Sequence, residues 1–336
     1  MFKKRSNIKT GLDLGSSSMK IVRMAYYDKG FIIQNFILKD IPSLNENISS
    51  LLKDSLDELK APNTAINISL SGQNVITRYV TMPVMSKDEF KKALKFEVYK
   101  YMPFSIEEVN YDGYILRQDL PDNKMLVLIA AAKKDFLSER LKLIQDLGLN
   151  VGIVDIDSLA LINAFNFSYS QDETLAHKTI ALLNIGAAIT NVNILEAGKP
   201  CLSRDIHIAG DNFTNKIADE LGVDVKTAKD LKTTQEKEAL NKIKPSIDTV
   251  LSQLANEVRS SFDYYESQSV TSVEKIFVSG GGSLLSGLVD NLSHLLGMEI
   301  QTWDALKNFE FAEGLDIEKI KAKSAQLAVA VGLAMR

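Results

Sequence analysis

The stretch GLDLGSSSMK, residues 11–20, places a carboxylate and a loose turn inside an apolar run that resumes as IVRM. A plain strand gains nothing from an acid beside a glycine, whereas a phosphate-binding hairpin uses both. The backbone amides around Gly15, Ser16, Ser17 and Ser18 can converge as a nest for anionic oxygens. Gly15 lets a ligand approach the backbone closely, and the serines add hydroxyl donors. Lys20 lies two residues past the last serine and can set an ammonium against a phosphate. Asp13, at the strand end, can hold a hydrated Mg²⁺, an ion that keeps several waters and takes few protein carboxylates. A surface hairpin with a glycine turn has the same local pattern, so the motif acquires meaning only from its companions.

Two companions follow further along the chain. KTIALLNIGAAITNVNIL at 178–195 lies on KTGLDLGSSSMKIVRM at 9–24 with a constant offset, which puts Asn184 on Asp13, Gly186 on Gly15 and Val192 on Ile21. This predicts a duplicated lobe, each half giving one turn to a shared cleft. The run SGGGS at 279–283 supplies Gly280, Gly281 and Gly282 between a strand and a helix, where amides and the helix dipole favour anions. It lacks the GxxxxGK[ST] of a P-loop, and the chain lacks an early strand–GxGxxG–helix. In chain order there is an Asp-x-Gly at 13, Asp157 after VGIVDI, an Asn-x-Gly at 184 and the triple glycine at 280. That is the order of the actin-like ATPase fold: an α/β, ribonuclease H-like unit duplicated into two lobes.

These turns need strands and helices to position them. The opening segment reads as three strands, with turns at Gly15–Ser18 and Asp28–Gly30. A helix follows at about 47–60 with Leu52 and Leu56 on its apolar face, then the strand AINISL. SKDE at 86–89 is a capping box that opens a helix ending before Pro103. Strands at 109–118 and 124–132, a helix at 135–147 and the strand VGIVDI come next. The second half holds a mostly helical stretch at 211–266, whose last helix starts after Pro245, and it ends on the buried helix SAQLAVAVGLAM. The expected division is 1–80 with 151–177 and 318–336 as the first lobe, and 81–150 as an inserted α+β subdomain. The second lobe has its core in 178–210 and 271–317, with a helical subdomain at 211–270.

Composition removes several function classes. A formal net charge of −4 across 336 residues, with no basic patch evident, argues against a nucleic-acid partner. A single cysteine, Cys201, excludes an internal disulfide and suits a reducing compartment. With three scattered histidines, it cannot build a zinc site. The basic start MFKKRSN has no apolar segment after it, and MLVLIAAA at 125–132 is far short of the ~20 residues of a membrane span. The expected location is cytoplasmic, without direct membrane insertion.

The segment SLSGQNVITRYVTMPVMSKDEFKKALKFEVYKYMPFSIEEVNYDGYIL, residues 69–116, resembles the signature region of the PilM family of type IV pilus assembly proteins. DIDSLALINAF at 155–165, SRDIHIAGDNFT at 203–214, LGVDVKTAKDLK at 221–232 and IFVSGGGSLLSGL at 276–288 fit the same family in order. The resemblance implies that ATP with Mg²⁺ binds between the lobes, and that 81–150 is the subdomain shared with FtsA. It makes Gly210 and Lys232 further nucleotide contacts, while Lys229 stands where relatives carry an acid. Asp157 stands where many relatives place a water-orienting Glu, which makes it the catalytic candidate. Asn184 replaces the usual Asp of the second turn. Losing such a partner typically costs ~10–100-fold in metal affinity or activity, so at most slow hydrolysis is expected. The implied partner is the cytoplasmic N-terminal tail of the inner-membrane protein PilN, with other inner-membrane and motor components of the pilus machine beyond it. Membrane association would then be peripheral, through that partner. The competing readings are an FtsA-like division protein, expected to carry an amphipathic helix where this chain stops at VGLAMR, and an actin-fold small-molecule kinase, for which no substrate base is evident.

Overall fold

The computed structural model describes residues 7–27, 30–41, 48–59, 65–234 and 236–336. Part of the expected turn at Asp28–Gly30, both ends of the helix expected at about 47–60, and most of MFKKRSN lie outside these residues. The first lobe is built on β1 (Asn7–Leu14), β2 (Ser18–Tyr27), β3 (Gly30–Asp40), α1 (Ile48–Glu58) and β4 (Ile66–Leu70). Then come β5 (Val75–Pro83), α2 (Lys87–Tyr101), β6 (Val109–Leu120), β7 (Lys124–Lys133), α3 (Lys134–Gln145), β8 (Val151–Ile156) and α4 (Asp157–Ser168). The second half runs β9 (Thr179–Ile185), β10 (Thr190–Glu196), β11 (Lys199–Ile206), α5 (Gly210–Leu221), α6 (Val225–Thr233), α7 (Lys237–Glu266) and β12 (Lys275–Ser279). It closes with α8 (Leu288–Leu296), β13 (Ile300–Thr302), β14 (Glu310–Phe311), α9 (Ile317–Lys321) and α10 (Ser324–Ala334).

The duplication is visible in the sheets. One has the order β14-β3-β2-β1-β4-β8 and the other β11-β10-β9-β12-β13. In both, a pair of hairpins ends on the first strand of the lobe, which then takes a parallel partner on its other side. Helices α4 and α10 fill the space between the sheets, where Leu161, Phe165, Leu327 and Val331 meet Val22, Leu182 and Phe277. Buried on all sides, α10 has no polar stripe, as a fully enclosed helix requires. The outer faces are covered by α1 and α3 on the first sheet and by α5–α8 on the second.

Four boundaries differ from the sequence reading. The inserted sheet, in the order β5-β7-β6, takes in Val75–Pro83, so the unit starts before residue 81. VITRYVTMP alternates as a strand should, but its burial comes from β7 and α2, elements that a local reading does not see. At the other end, α3 sends Leu141 and Ile144 into the first-lobe core, so the insertion covers 75–133 rather than 81–150. Pro245 lies inside α7 rather than before it. Ile243, Ile247 and Val250 are buried on both sides of the proline and hold the helix through the lost hydrogen bond. Finally, β14 pairs with β3, so residues 310–311 extend the first sheet although 271–317 was expected to be second-lobe core.

Within the insertion, α2 opens with the expected capping box between Ser86 and Glu89 and packs Phe90, Leu94 and Val98 onto the sheet. Its outer face carries Phe96 and Tyr99, 75% and 79% exposed, among exposed lysines. This is a basic surface that the overall charge of the chain does not suggest.

Candidate nucleotide site

The first hairpin brings Asp13 opposite Lys20 in the β1–β2 register, with Nζ 3.1 Å from Oδ2 and both side chains nearly enclosed. The Gly15 N–H closes the turn by donating to the Ser18 carbonyl at 3.1 Å. The Ser17 carbonyl accepts from Ile41 N–H, which ties the turn to the end of β3. The offset that takes 13 to 184 also takes 18 to 189 and 20 to 191. At those positions the Gly186 N–H donates to the Ile189 carbonyl at 2.9 Å, and Asn184 faces Asn191 across β9–β10. The two hairpins are therefore the same device, with an ion pair in one lobe and an amide pair in the other.

In the second hairpin the amides form a directed chain. Asn184 Nδ2 donates to Asn191 Oδ1 at 3.2 Å, and Asn191 Nδ2 donates to Asp205 Oδ1 at 2.6 Å. Asp205 Oδ2 accepts the backbone N–H of Gly72, in the first lobe, at 3.2 Å. At the other end Asn184 Oδ1 accepts from Ser279 Oγ at 3.2 Å. This fixes the orientation of the Asn184 amide and links the second turn physically to the strand that leads into the insertion.

The three glycines of the third turn have separate roles. Gly280 has φ +87°, and a side chain there would run into the Ile185 carbonyl; one at Gly282 would run into the Ile185 side chain. These two let the turn sit directly on the end of β9. Gly281 has open space, with Gln326 Nε2 3.6 Å from where a Cβ would be. Like Gly282 it borders the cleft, but it alone of the three leaves room there for a side chain. Gly280 N–H also donates to the Ala325 carbonyl at 2.7 Å, which seats the turn on the start of α10.

Asp157 opens α4 and accepts hydrogen bonds from Ser69 and Ser71 at the end of β4. Burial, and next the negative charge of Asp13, push its carboxyl up to about 6, with Asp205 adding to the effect. Gly210 opens α5, and its N–H donates to the Gly186 carbonyl at 3.0 Å. Lys232, on α6, donates to the Gly210 carbonyl at 2.9 Å and to Thr214 Oγ1 at 2.7 Å, and burial lowers its pKa. Its ammonium is thus already engaged in holding the start of α5, while Lys229 also borders the cleft.

All the residues expected at the site line one cleft of about 1560 Å³ between the lobes, except Gly280, which packs behind its wall. Sequence reasoning missed Asn191, Asp205, Ser69, Ser71 and Gln326. Asn191 could have been found, since the repeat lays it on Lys20. The donor set suits a hydrated divalent cation. Among the described residues no three His, Cys, Asp or Glu side chains gather as a metal cage. Asp13 and Asp157 do lie close enough for the charge of one to oppose ionisation of the other. A cation relieves that opposition. Gln326 Oε1, buried and without a hydrogen-bond partner among the described residues, offers an acceptor to a bound molecule.

A family model described as type IV pilus assembly protein PilM matches residues 11–336. Among solved structures, the chain is similar to one in a PilM–PilN type IV pilus biogenesis complex, with a TM-score of 0.86 and 24% identity over 98% of both chains. It also resembles the ethanolamine utilization protein EutJ of Carboxydothermus hydrogenoformans, with a TM-score of 0.54 and 13% identity over 99% of this chain and 91% of that one. MreB 5 of Spiroplasma citri, solved with AMPPNP, gives a TM-score of 0.51 and 11% identity over 99% of this chain and 96% of that one. The fold is that of the actin-like ATPases.

Proposed function

The chain belongs to the type IV pilus assembly protein PilM family, and from that premise we propose that it is a nucleotide-binding adaptor of the pilus assembly machine. The observation that carries this reading is the convergence of both duplicated hairpins and the Gly281 turn on one interlobe cleft. In it, ATP would lie with its phosphates between the Gly15–Ser18 and Gly186–Ile189 turns, and Lys20 would exchange Asp13 for a phosphate oxygen. Asp13 would hold the water shell of Mg²⁺, with Asp157 beside it. The cation would supply charge neutralisation for the phosphates. Asn184, neutral and fixed by Asn191 and Ser279, adds no negative charge to the cation. At most slow turnover follows, with Asp157 orienting water, and the nucleotide acts chiefly as a structural ligand.

The partner would be the cytoplasmic N-terminal tail of a PilN-type inner-membrane protein, lying extended in a groove between the insertion and the first lobe. What supports this is strand β5, an edge strand of the inserted sheet, which borders a slot of about 340 Å³ lined also by Ile156 and Ser158 of the first lobe and by Ser203, Asp205 and His207 of the second. Main-chain pairing along such an edge, with pockets for alternate side chains, is how extended peptides are recognised. Through that tail the protein would be held at the inner membrane and coupled to the motor.

Titration calorimetry with Mg-ATP tests the cleft. Gly281→Asp puts a carboxylate where space is open, so the fold is kept, and nucleotide binding is expected to vanish while Gly281→Ala retains it. Unchanged affinity in the Asp variant would contradict the assignment.

A further inference from the structure

The outer face of α2 takes no part in the cleft. The helix carries five lysines against three acids in a chain whose net charge is −4. Two of the acids, Asp88 and Glu89, are in the first turn, and Glu89 is tied into the capping box. From Lys91 to Lys100 the exposed positions are Lys91, Lys92, Lys95, Phe96, Tyr99 and Lys100. Among the described residues none of these lysines forms a salt bridge; Lys100 lies over the Tyr101 ring at 4.7 Å. The acids that face the patch are Glu97 on its flank and Glu107, which feels the charge of Lys95.

Phe96 and Tyr99 are one turn apart, so their rings form a single ridge, the most exposed aromatic pair on any helix among the described residues. A water-facing ridge of this kind costs free energy unless something covers it. The buried side of α2 is already satisfied by Phe90, Leu94 and Val98 against the inserted sheet, and among the described residues nothing covers the ridge. A convex helix face offers a peptide no groove. It fits a planar surface: aromatic rings entering the headgroup region, and lysine stems lying along it with their ammonium groups toward anionic phosphates.

We propose that α2 is a second, direct contact of this protein with an anionic phospholipid surface, independent of nucleotide and of any tail peptide. The charge complementarity is specific. Near an anionic membrane each lysine contributes roughly fivefold in partition, and two half-inserted rings supply the component that salt does not screen.

Co-sedimentation of the full chain with vesicles tests this. Vesicles of phosphatidylcholine with one third phosphatidylglycerol are expected to bind it at least about tenfold better than pure phosphatidylcholine at ~0.1 M salt. Lys92→Glu with Lys95→Glu should abolish the difference, and Phe96→Ser with Tyr99→Ser should reduce binding to the anionic vesicles. All four positions are exposed, so the melting temperature should stay unchanged. Equal partition of the wild type into both vesicle types, or full binding by the double-Glu variant, would overturn the proposal; absence of vesicle binding altogether would leave the face to an acidic protein partner instead.

Discussion

Asp157 is the residue on which the electrostatics of the cleft concentrate. Its carboxyl is held at about 6 by burial and by Asp13, well above an ordinary aspartate. Folding therefore opposes its ionisation: stability is undiminished below about pH 4, falls as the pH rises to 6, and stays lowered above that. Asp157→Asn keeps an acceptor for Ser69 and Ser71 but removes the charge. It should raise unfolding free energy at pH 7.5 by on the order of 1–3 kcal/mol, and leave it nearly unchanged at pH 4. Urea denaturation without metal or nucleotide measures both; an equal gain at the two pH values would mean that the charge is not the cause. Much of this site was legible in the sequence, because the repeat carries Asp13, Gly15 and Lys20 onto Asn184, Gly186 and Asn191. The division of labour among Gly280, Gly281 and Gly282 was not, since it depends on where Ile185 lies. Asp205 could not be read either. What it bonds to, Gly72, sits in the other lobe.

Among the elements, α10 is the most constrained. A side chain at Gly332 would strike the Ala160 carbonyl of α4, and one at Gly11 of β1 would strike the Ala330 carbonyl. The helix is thus locked, backbone against backbone, between a strand of one lobe and the helix that backs the other. Gly332→Ala should cost about 1–3 kcal/mol or more, because both colliding groups are main chain. Its near-silent counterpart is Gly281→Ala, and urea midpoints of the pair give the comparison. Loss of little stability at Gly332 would show that the crossing has slack. Strands and helices with a clear period were legible. Those whose burial is supplied by distant segments were not: β5, whose neighbours are β7 and α2, and the first turns of α7, which continue through Pro245 because Ile243 is anchored in the core.

At the scale of the whole molecule, the amide chain from Asn184 through Asn191 and Asp205 to Gly72 crosses from one lobe to the other. Tyr79 to Ser203 at 2.8 Å and Arg117 to Glu196 at 3.3 Å add contacts between the insertion and the second lobe. Asp205→Ala should free the Gly72 amide, so hydrogen exchange over residues 71–83 should speed up while β9 and β10 keep their protection. Uniform acceleration across both regions would instead mean that the second sheet itself had loosened. The insertion meets the first lobe through two chain segments side by side, since Lys133 N–H donates to the Asn74 carbonyl at 2.9 Å. In mechanical terms this is a double strap. A pull on the insertion divides between β4 on one side and α3 on the other, and enters the lobe as tension along two elements rooted in its core. Neither strand of the strap is loaded alone, so tugging does not peel the inserted sheet open from one end.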